Sequence, residues 1–521
     1  MLMLSYLKMI LERPAFRVVA IGFGLALATA LLLASGGAVS LISSNQVNSA
    51  AGRNQYHVDS SSSLSSPAGG GSSWLTSWSE FPTLGQPGAG LPDNGWTSAW
   101  NGTAWTTAIS HNISGRAAGN LFVTTDPNTG RYILVGLDLI GGTVSLQLLF
   151  QTSTDYTGQF WNPPTLPLAG TSADFPSVAV APNGLIGIGF NTVNSSGAPN
   201  GFATIFSPDG GATWSSTPVF VDGSGTGVNF GRIVAVGNTF YAFLPGTDPN
   251  SPISPATLRV YQWSGSSWFL SQNLMTYTAP STNSPSGTLY CNSYAGSPNN
   301  GQCGVIGYGP FIDAAATSAG WAVLCPYSLT GSPTVNNYIF CTQTAGCSTM
   351  NYSLDLFMGG ITTSSNGDLW ISALTYSSNS PPSPRVEQIA AYGTSGFSFV
   401  TGVPVGGIDP TTWAFFPSLT LGSNHCQAIG LYNCFSAGDY IHPAMNKFTG
   451  ASLPFIASPS NVFTELLQNF VQDPEAGLTP VSGLTFRKVP IGSNVAFVGS
   501  MSADEVLRHT PRTHAVLWPT K

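Results

Sequence analysis

Charge is what this chain has least of. Charged residues make up 7% of its 521 positions, against about 25% in ordinary soluble proteins. Only four are lysines, Lys8, Lys447, Lys488 and Lys521, and none falls between the first two. The net charge is −7 with no basic stripe. That excludes nucleic acid as a partner, because phosphate binding needs clustered Lys or Arg. Hydroxyls, amides and glycines must cover the surface instead. Two settings account for so little charge. One is an acidic extracellular habitat, where carboxylates are protonated and solvate poorly; it requires the exported part to stay folded below about pH 4. The other is a cell surface coated with sugars, and four sequons, at Asn101, Asn112, Asn194 and Asn351, offer acceptor sites.

Cysteine is also scarce, at seven residues. Close neighbours suggest the pairs Cys291–Cys303, Cys341–Cys347 and Cys426–Cys434, leaving Cys325 over. Export favours disulfides over free thiols. His425 and His442 flank the last pair, but the spacing matches no usual zinc pattern, so no metal site is assigned. No Cys lies near the N-terminal apolar run, which excludes a lipoprotein anchor.

What is abundant is turn chemistry: Gly 60, Pro 38, and many Ser, Thr and Asn, alongside 42% hydrophobic residues. That composition suits many short strands joined by tight turns. Residues 1–42 form a signal peptide or membrane anchor. Lys8, Arg13 and Arg17 precede an uncharged run of 25 residues, Val18 to Ile42, and spanning a bilayer takes about 20. Cleavage near Ala38 or Ser40 would make it a signal peptide; run length favours an uncleaved anchor with its positive flank in the cytoplasm. Residues 43–95, with Ser60–Ser63 and Gly69–Gly71, read as a Ser/Gly/Pro-rich stalk.

From about Trp96 a repeat emerges: apolar strand, turn with Asn or Gly, apolar strand. Its turns fall at Asn128, Asn183, Asn238, Gly320, Asn366 and Asn424, at intervals of 55, 55, 82, 46 and 58 residues. Units too short to fold alone imply an array that stacks or closes. The long interval holds an extra loop, Gly246 to Pro310, of the kind that often carries function. Residues 451–521 form a small C-terminal extension. In it Val462, Leu466, Leu467 and Phe470 have helical spacing behind a Ser460 or Asn461 cap, and Leu484–Val489 can pair with Val495–Val498.

One turn is fully specified. Ser207-Pro208-Asp209-Gly210-Gly211-Ala212-Thr213-Trp214 lies between two apolar runs. Asp209 can accept backbone N–H bonds as Asx-turns do, the glycines can take positive φ, and Trp214 offers a large ring to a neighbouring sheet. Ser153, Thr154, Asp155 and Trp161 echo it with one residue too many before Gly158. The spacing of Ser207, Asp209, Gly211, Thr213 and Trp214 resembles the Asp-box (BNR repeat) of sialidase-like β-propellers. The resemblance implies an all-β fold over residues 96–450: a six-bladed β-propeller, with seven blades as the alternative. In it the N-terminal Trp100–Trp105 segment would complete the last blade and leave no open edge. Trp100, Trp105, Trp161, Trp214, Trp263 and Trp268 recur at repeat positions and are expected to pack between blades rather than stack on sugars.

Enzymes of that family gather three arginines around a substrate carboxylate, which suits planar guanidinium forks. They use a Tyr activated by Glu as nucleophile and an Asp as acid/base, outside the usual two-carboxylate scheme. Here residues 96–450 hold five arginines, Arg116, Arg131, Arg232, Arg259 and Arg385, and one glutamate, Glu387. The family's Arg-Ile-Pro is absent, with Phe230-Gly231-Arg232-Ile233-Val234 its nearest echo. No catalytic set is assigned. Candidate ligand-binding residues are Arg116, Asp174, Arg232, Asp409, Asp439 and Tyr440, with no cofactor required and Ca²⁺ a candidate ion for the acidic loops. The function expected is an extracellular, membrane-tethered binding, adhesion or surface-structural module with a glycan or protein ligand. The alternative is a secreted glycoside hydrolase of the sialidase type.

Overall fold

The computed structural model describes residues 40–46, 54–62, 74–81, 94–101, 104–113, 116–139, 146–193, 199–223, 230–245, 255–278, 312–328, 336–350, 356–363, 369–376, 386–393, 399–408, 442–445, 451–453, 455–459 and 464–472. Every regular element among them is a β-strand, and every pairing is antiparallel. The fold is all-β and propeller-like.

Strand β1 (Ser40–Gln46) comes first in the chain but pairs last. The first sheet is β2 (Asn54–Ser62), β3 (Trp74–Phe81), β4 (Asn94–Trp100) and β5 (Ile109–Ser110). The second is β6 (Ala117–Thr125), β7 (Tyr132–Leu139) and β8 (Leu146–Thr152), extended by single bridges from Phe150 to Thr165 and Ser153 to Trp161. The third is β9 (Ala173–Val180), β10 (Ile186–Val193), β11 (Pro199–Ser207) and β12 (Val219–Phe220). The fourth is β13 (Arg232–Val236), β14 (Thr239–Leu244), β15 (Pro255–Trp263) and β16 (Trp268–Thr278). The fifth is β17 (Asp313–Thr317), β18 (Gly320–Ser328), β19 (Asn336–Thr342) and β20 (Gly346–Thr349). The sixth is β21 (Leu356–Thr363), β22 (Leu369–Tyr376), β23 (Val386–Gly393) and β24 (Phe399–Ile408). A seventh joins β25 (Ala444–Met445), β26 (Ala451–Leu453), β27 (Phe455–Pro459) and β28 (Thr464–Gln472) to β1, with Ser40 opposite Gln472 and Gln46 opposite Leu467.

Five of the six sequence repeats fall on the first hairpins of the second to sixth sheets. The sixth repeat, around Asn424, lies outside the described residues. Two sheets were not anticipated. Residues read as a stalk supply β2, β3 and the start of β4. Their Ser-rich composition misleads because the hydroxyls are inside the protein. Thr76, Ser77, Ser79, Thr97 and Ser98 are buried between Trp74, Leu75, Trp78 and Trp100. Thr76 Oγ1 donates to Asp59 O at 3.1 Å, Ser77 Oγ to Leu121 O at 3.3 Å and Ser98 Oγ to Thr106 O at 2.7 Å. A hydroxyl whose bond is made inside costs little to bury.

The closing segment also differs from the expectation. Trp100–Trp105 belongs to the first sheet, whereas β1 completes the last. The run Val18–Ile42 lies outside the described residues up to 39, and residues 40–42 open β1. No helix among the described residues is long and apolar enough to cross a membrane. The expected helix over Val462–Phe470 is instead strand β28, whose partners β1, β26 and β27 override local spacing. The Leu484–Val498 hairpin lies outside the described residues.

The core is a series of layers between successive sheets. Leu75, Ala99, Leu121, Tyr132 and Leu134 fill the first gap; Phe122, Val135, Phe150, Ile188 and Phe190 the second. Phe202, Phe206, Phe240 and Leu244 fill the third, Phe243, Val260, Trp321 and Ile339 the fourth, and Leu324, Phe340, Ile361 and Ile371 the fifth. Each fully buried Phe contributes roughly 1.5–3 kcal/mol by leaving water.

The outer turns pin these layers together. Asp209 accepts from Thr213 N at 2.8 Å and Thr213 Oγ1 at 2.6 Å; Ser207 Oγ donates to Asp209 at 2.9 Å and accepts from Gly211 N at 2.8 Å. Trp214 Nε1 donates to Gly211 O at 3.1 Å, and its ring meets Phe150 of the preceding sheet edge-on at 4.9 Å. Gly211 has φ +95, and a Cβ there would stand 2.1 Å from the Phe150 ring. Asp155 repeats the device through Thr157 N and Oγ1 at 3.1 and 2.6 Å, with Trp161 donating to Gly158 O at 3.0 Å and packing on His111 at 4.8 Å. In the fourth sheet Trp263 stacks on Phe206 at 4.4 Å beside Trp268. In the fifth, the disulfide Cys341–Cys347 closes the turn in place of an acid. Cys325 is free and buried, and burial pushes its thiol up to about 12. The Cys291–Cys303 and Cys426–Cys434 pairs lie outside the described residues.

Candidate functional site on the ring axis

Among the described residues, the first strands of successive sheets adjoin one another in the order β2, β6, β9, β13, β17, β21 and β25, and β25 returns to β2. They enclose a cavity of about 280 Å³. Its lining comes from the C-terminal parts of β2, β6, β9 and β21, at Ser61, Thr124, Val180 and Thr363, and from nearly the full length of the short β13 and β17, Arg232 to Ala235 and Asp313 to Ala316.

A layer of charge crosses this cavity. Arg232 opens β13, and its Nε lies 3.0 Å from Asp313 Oδ1 at the start of β17. Asp313 Oδ1 is sealed from solvent and has no donor in line, so the contact is an ion pair rather than an aligned hydrogen bond. Asp313 Oδ2 accepts from Ile361 N at 2.8 Å, tying the fifth sheet to the sixth. Asp59 does the same elsewhere: Oδ2 accepts from Val123 N at 2.7 Å and Oδ1 from Ser60 N at 2.9 Å. His442, just before β25, stands between the two acids, with Nδ1 3.1 Å from Asp59 Oδ1 and Nε2 3.7 Å from Asp313 Oδ1. The Arg232 guanidinium sits over the Phe122 ring at 4.5 Å, and Phe122 also faces His442 at 5.4 Å.

The candidates named from sequence do not converge. Arg232 alone among the described arginines lines the cavity. Arg116 precedes β6 and pairs with buried Asp138 at 3.0 Å. Burial pushes the Asp138 carboxyl above its ordinary value, and Arg116 pulls it back. Asp174, at the start of β9, accepts from Asn120 Nδ2 at 3.2 Å and Phe175 N at 2.8 Å. Asn120 and Phe175 have φ of 48 and 46, so this acid stabilises a strained bend where the inner strand begins. Arg131 is exposed on the β6–β7 turn, and Arg259 lies on β15, the third strand of its sheet. Asp409, Asp439, Tyr440 and Arg385 lie outside the described residues. No group of three or more His, Cys, Asp or Glu suited to a metal lies among the described residues.

Sequence reading missed Asp59 and Asp313, and noted His442 only beside the last cysteine pair. Asp59 was hidden in the supposed stalk. Asp313 left a signal: in a chain so poor in charge, an acid at the head of Asp313-Ala314-Ala315-Ala316 has little reason to be there unless it is paired.

No protein-family model and no curated protein matches the chain. Solved structures do. One is a protein of unknown function from Dyadobacter fermentans, 11% identical with a TM-score of 0.41, covering 70% of this chain and 96% of that one. Another is the leech intramolecular trans-sialidase, 8% identical with a TM-score of 0.38, covering 61% of this chain and 64% of that one. A third is the intramolecular trans-sialidase of Ruminococcus gnavus, 10% identical with a TM-score of 0.39, covering 63% and 90%.

Proposed function

We propose that this chain is a seven-bladed, sialidase-like β-propeller that binds a ligand without hydrolysing it, and that its N-terminal segment exports and tethers it. The closed ring of first strands supports seven blades, and the Asp209 and Asp155 turns support the Asp-box reading. One observation carries the non-catalytic reading: Arg232, the cavity's arginine among the described residues, is already neutralised by Asp313 at 3.0 Å. A hydrolase of the sialidase type needs several arginines free to meet one carboxylate. Here the guanidinium serves the ring.

Turnover tests this reading. The purified full chain, given a fluorogenic sialoside, is expected to release no more fluorophore than buffer. Release that disappears in Arg232→Lys would establish the hydrolase reading instead.

A further inference from the structure

We propose that the axial cavity is a binding site for one neutral, polyhydroxylated ring, a single uncharged sugar unit; the proposal rests on the binding reading above and names its ligand class. Besides the sealed Ser60 Oγ, three polar groups of residues lining this cavity have no hydrogen-bond partner among the described residues. They are the terminal nitrogens of Arg232, whose side chain is 16% exposed, and the hydroxyls of Thr124 and Thr362. Arg232 is held in place at both ends, by Asp313 at Nε and by Phe122 under its plane. Its outer fork of N–H donors is therefore pre-set toward the cavity and loses little entropy on binding.

The charge around the fork decides what it takes. One guanidinium stands against two carboxylates, Asp59 and Asp313. Asp313 at 3.0 Å takes up the Arg232 charge and Asp59 adds a further negative one, so no surplus positive charge meets an anion entering this low-dielectric space. Both acids are themselves buried and engaged, so a cation gains no open carboxylate either. A hydroxyl satisfies the remaining groups, because it accepts from Arg232 and both donates to and accepts from threonine. Size sets the limit. At about 280 Å³ the space lies just under the roughly 300–1,000 Å³ of ligand pockets and holds about nine waters at roughly 30 Å³ each. That is the scale of one sugar ring. On β6 and β9 the site lies at the other end of the strand from Arg116 and Asp174.

Calorimetry on the full chain tests this, with the methyl glycosides of glucose, galactose and mannose, their trisaccharides, and N-acetylneuraminic acid as probes. At least one neutral sugar is expected to bind one-to-one. The acid is expected not to bind. Tighter binding of a trisaccharide would identify a chain end as the natural source, and equal binding a free ring. Arg232→Lys keeps a charge beside Asp313 but removes the fork, and Thr362→Val removes only a hydroxyl. Each is expected to weaken binding, by roughly tenfold for Arg232→Lys, the scale of one lost hydrogen bond to a charged group. Three results would overturn the proposal: no neutral sugar binding up to about 10 mM, tighter binding of the acid, or affinities unchanged in both variants. Cleavage of a sialoside would instead overturn the non-catalytic reading, so the two failures are distinguishable.

Discussion

The rim and the axis of this molecule use their few charges in opposite ways. At the rim, successive sheets solve one problem, the turn before their outermost strand, with different chemistry. Asp155 and Asp209 each hold a threonine, Ser264 Oγ meets Ser267 O at 2.8 Å, and Cys341 bonds to Cys347. The acid is one way among several to close a turn, and an aromatic ring packs inward in three of the four. At the axis no such exchange occurs. Asp59, Arg232, Asp313 and His442 come from four different sheets and lean on one another. A rim charge is local and replaceable; an axial charge belongs to a network whose members fail together.

The sharpest way to break this contrast is at the axis. Asp313→Ala leaves Arg232 in the cavity with no acid at its Nε and frees the Ile361 amide. The expected loss is about 3–5 kcal/mol, read as a fall in the denaturant midpoint. A loss under about 1 kcal/mol, the scale of an exposed pair, would make the axis no different from the rim.

Acid sharpens the contrast next. His111 is buried, with its ring nitrogens 2.7 Å from Thr97 Oγ1 and Gln151 Oε1, and burial lowers its pKa from 6.5 to about 4. Between those values the unfolded chain binds a proton that the folded chain refuses, so stability falls as pH falls. About 3 kcal/mol is expected to go between pH 7 and pH 4. Unfolding curves at the two pH values, for the native chain and for His111→Gln, measure it. A native chain no more acid-sensitive than the variant would contradict it.

At the rim the effects are smaller. Reducing Cys341–Cys347, which spans six positions, is expected to cost about 2 kcal/mol on loop-entropy grounds. Melting with and without reductant shows it, and an unchanged transition would mean the hairpin holds itself. Smallest of all is Asp209→Ala. The carboxyl is held below its ordinary 3.8 chiefly by the Thr213 hydroxyl, so the acid supports the turn above that range and lets go only as pH falls below it. Amide exchange at Thr213 is expected to speed up while global melting stays put. A cooperative loss of the whole fold would show that the rim acid is not local after all.

These regions also differed in how much of them sequence could show. The rim was legible, because Ser207 to Trp214 is contiguous and each residue has a local task. So were the first hairpins, where Asn183-Gly184 and Gly237-Asn238 mark the turns and apolar runs flank them. The first sheet was not, because its Ser and Thr bond inward to backbone carbonyls and read as linker. The axis was legible only at Arg232, since its ion-pair partner Asp313 lies 81 residues downstream and proximity in a closed ring leaves no local pattern. β28 shows the same limit: its helical spacing lost to pairing with β1, more than 400 residues upstream.

The central claim is that Asp313 neutralises Arg232 and so removes this cavity from carboxylate chemistry. Asp313→Asn tests it most directly, because the amide oxygen can still accept from Ile361 N while the charge is gone. Titrating N-acetylneuraminic acid into native chain and variant gives the answer. The native chain is expected not to bind it, and the variant to bind measurably. Equal binding to both would contradict it.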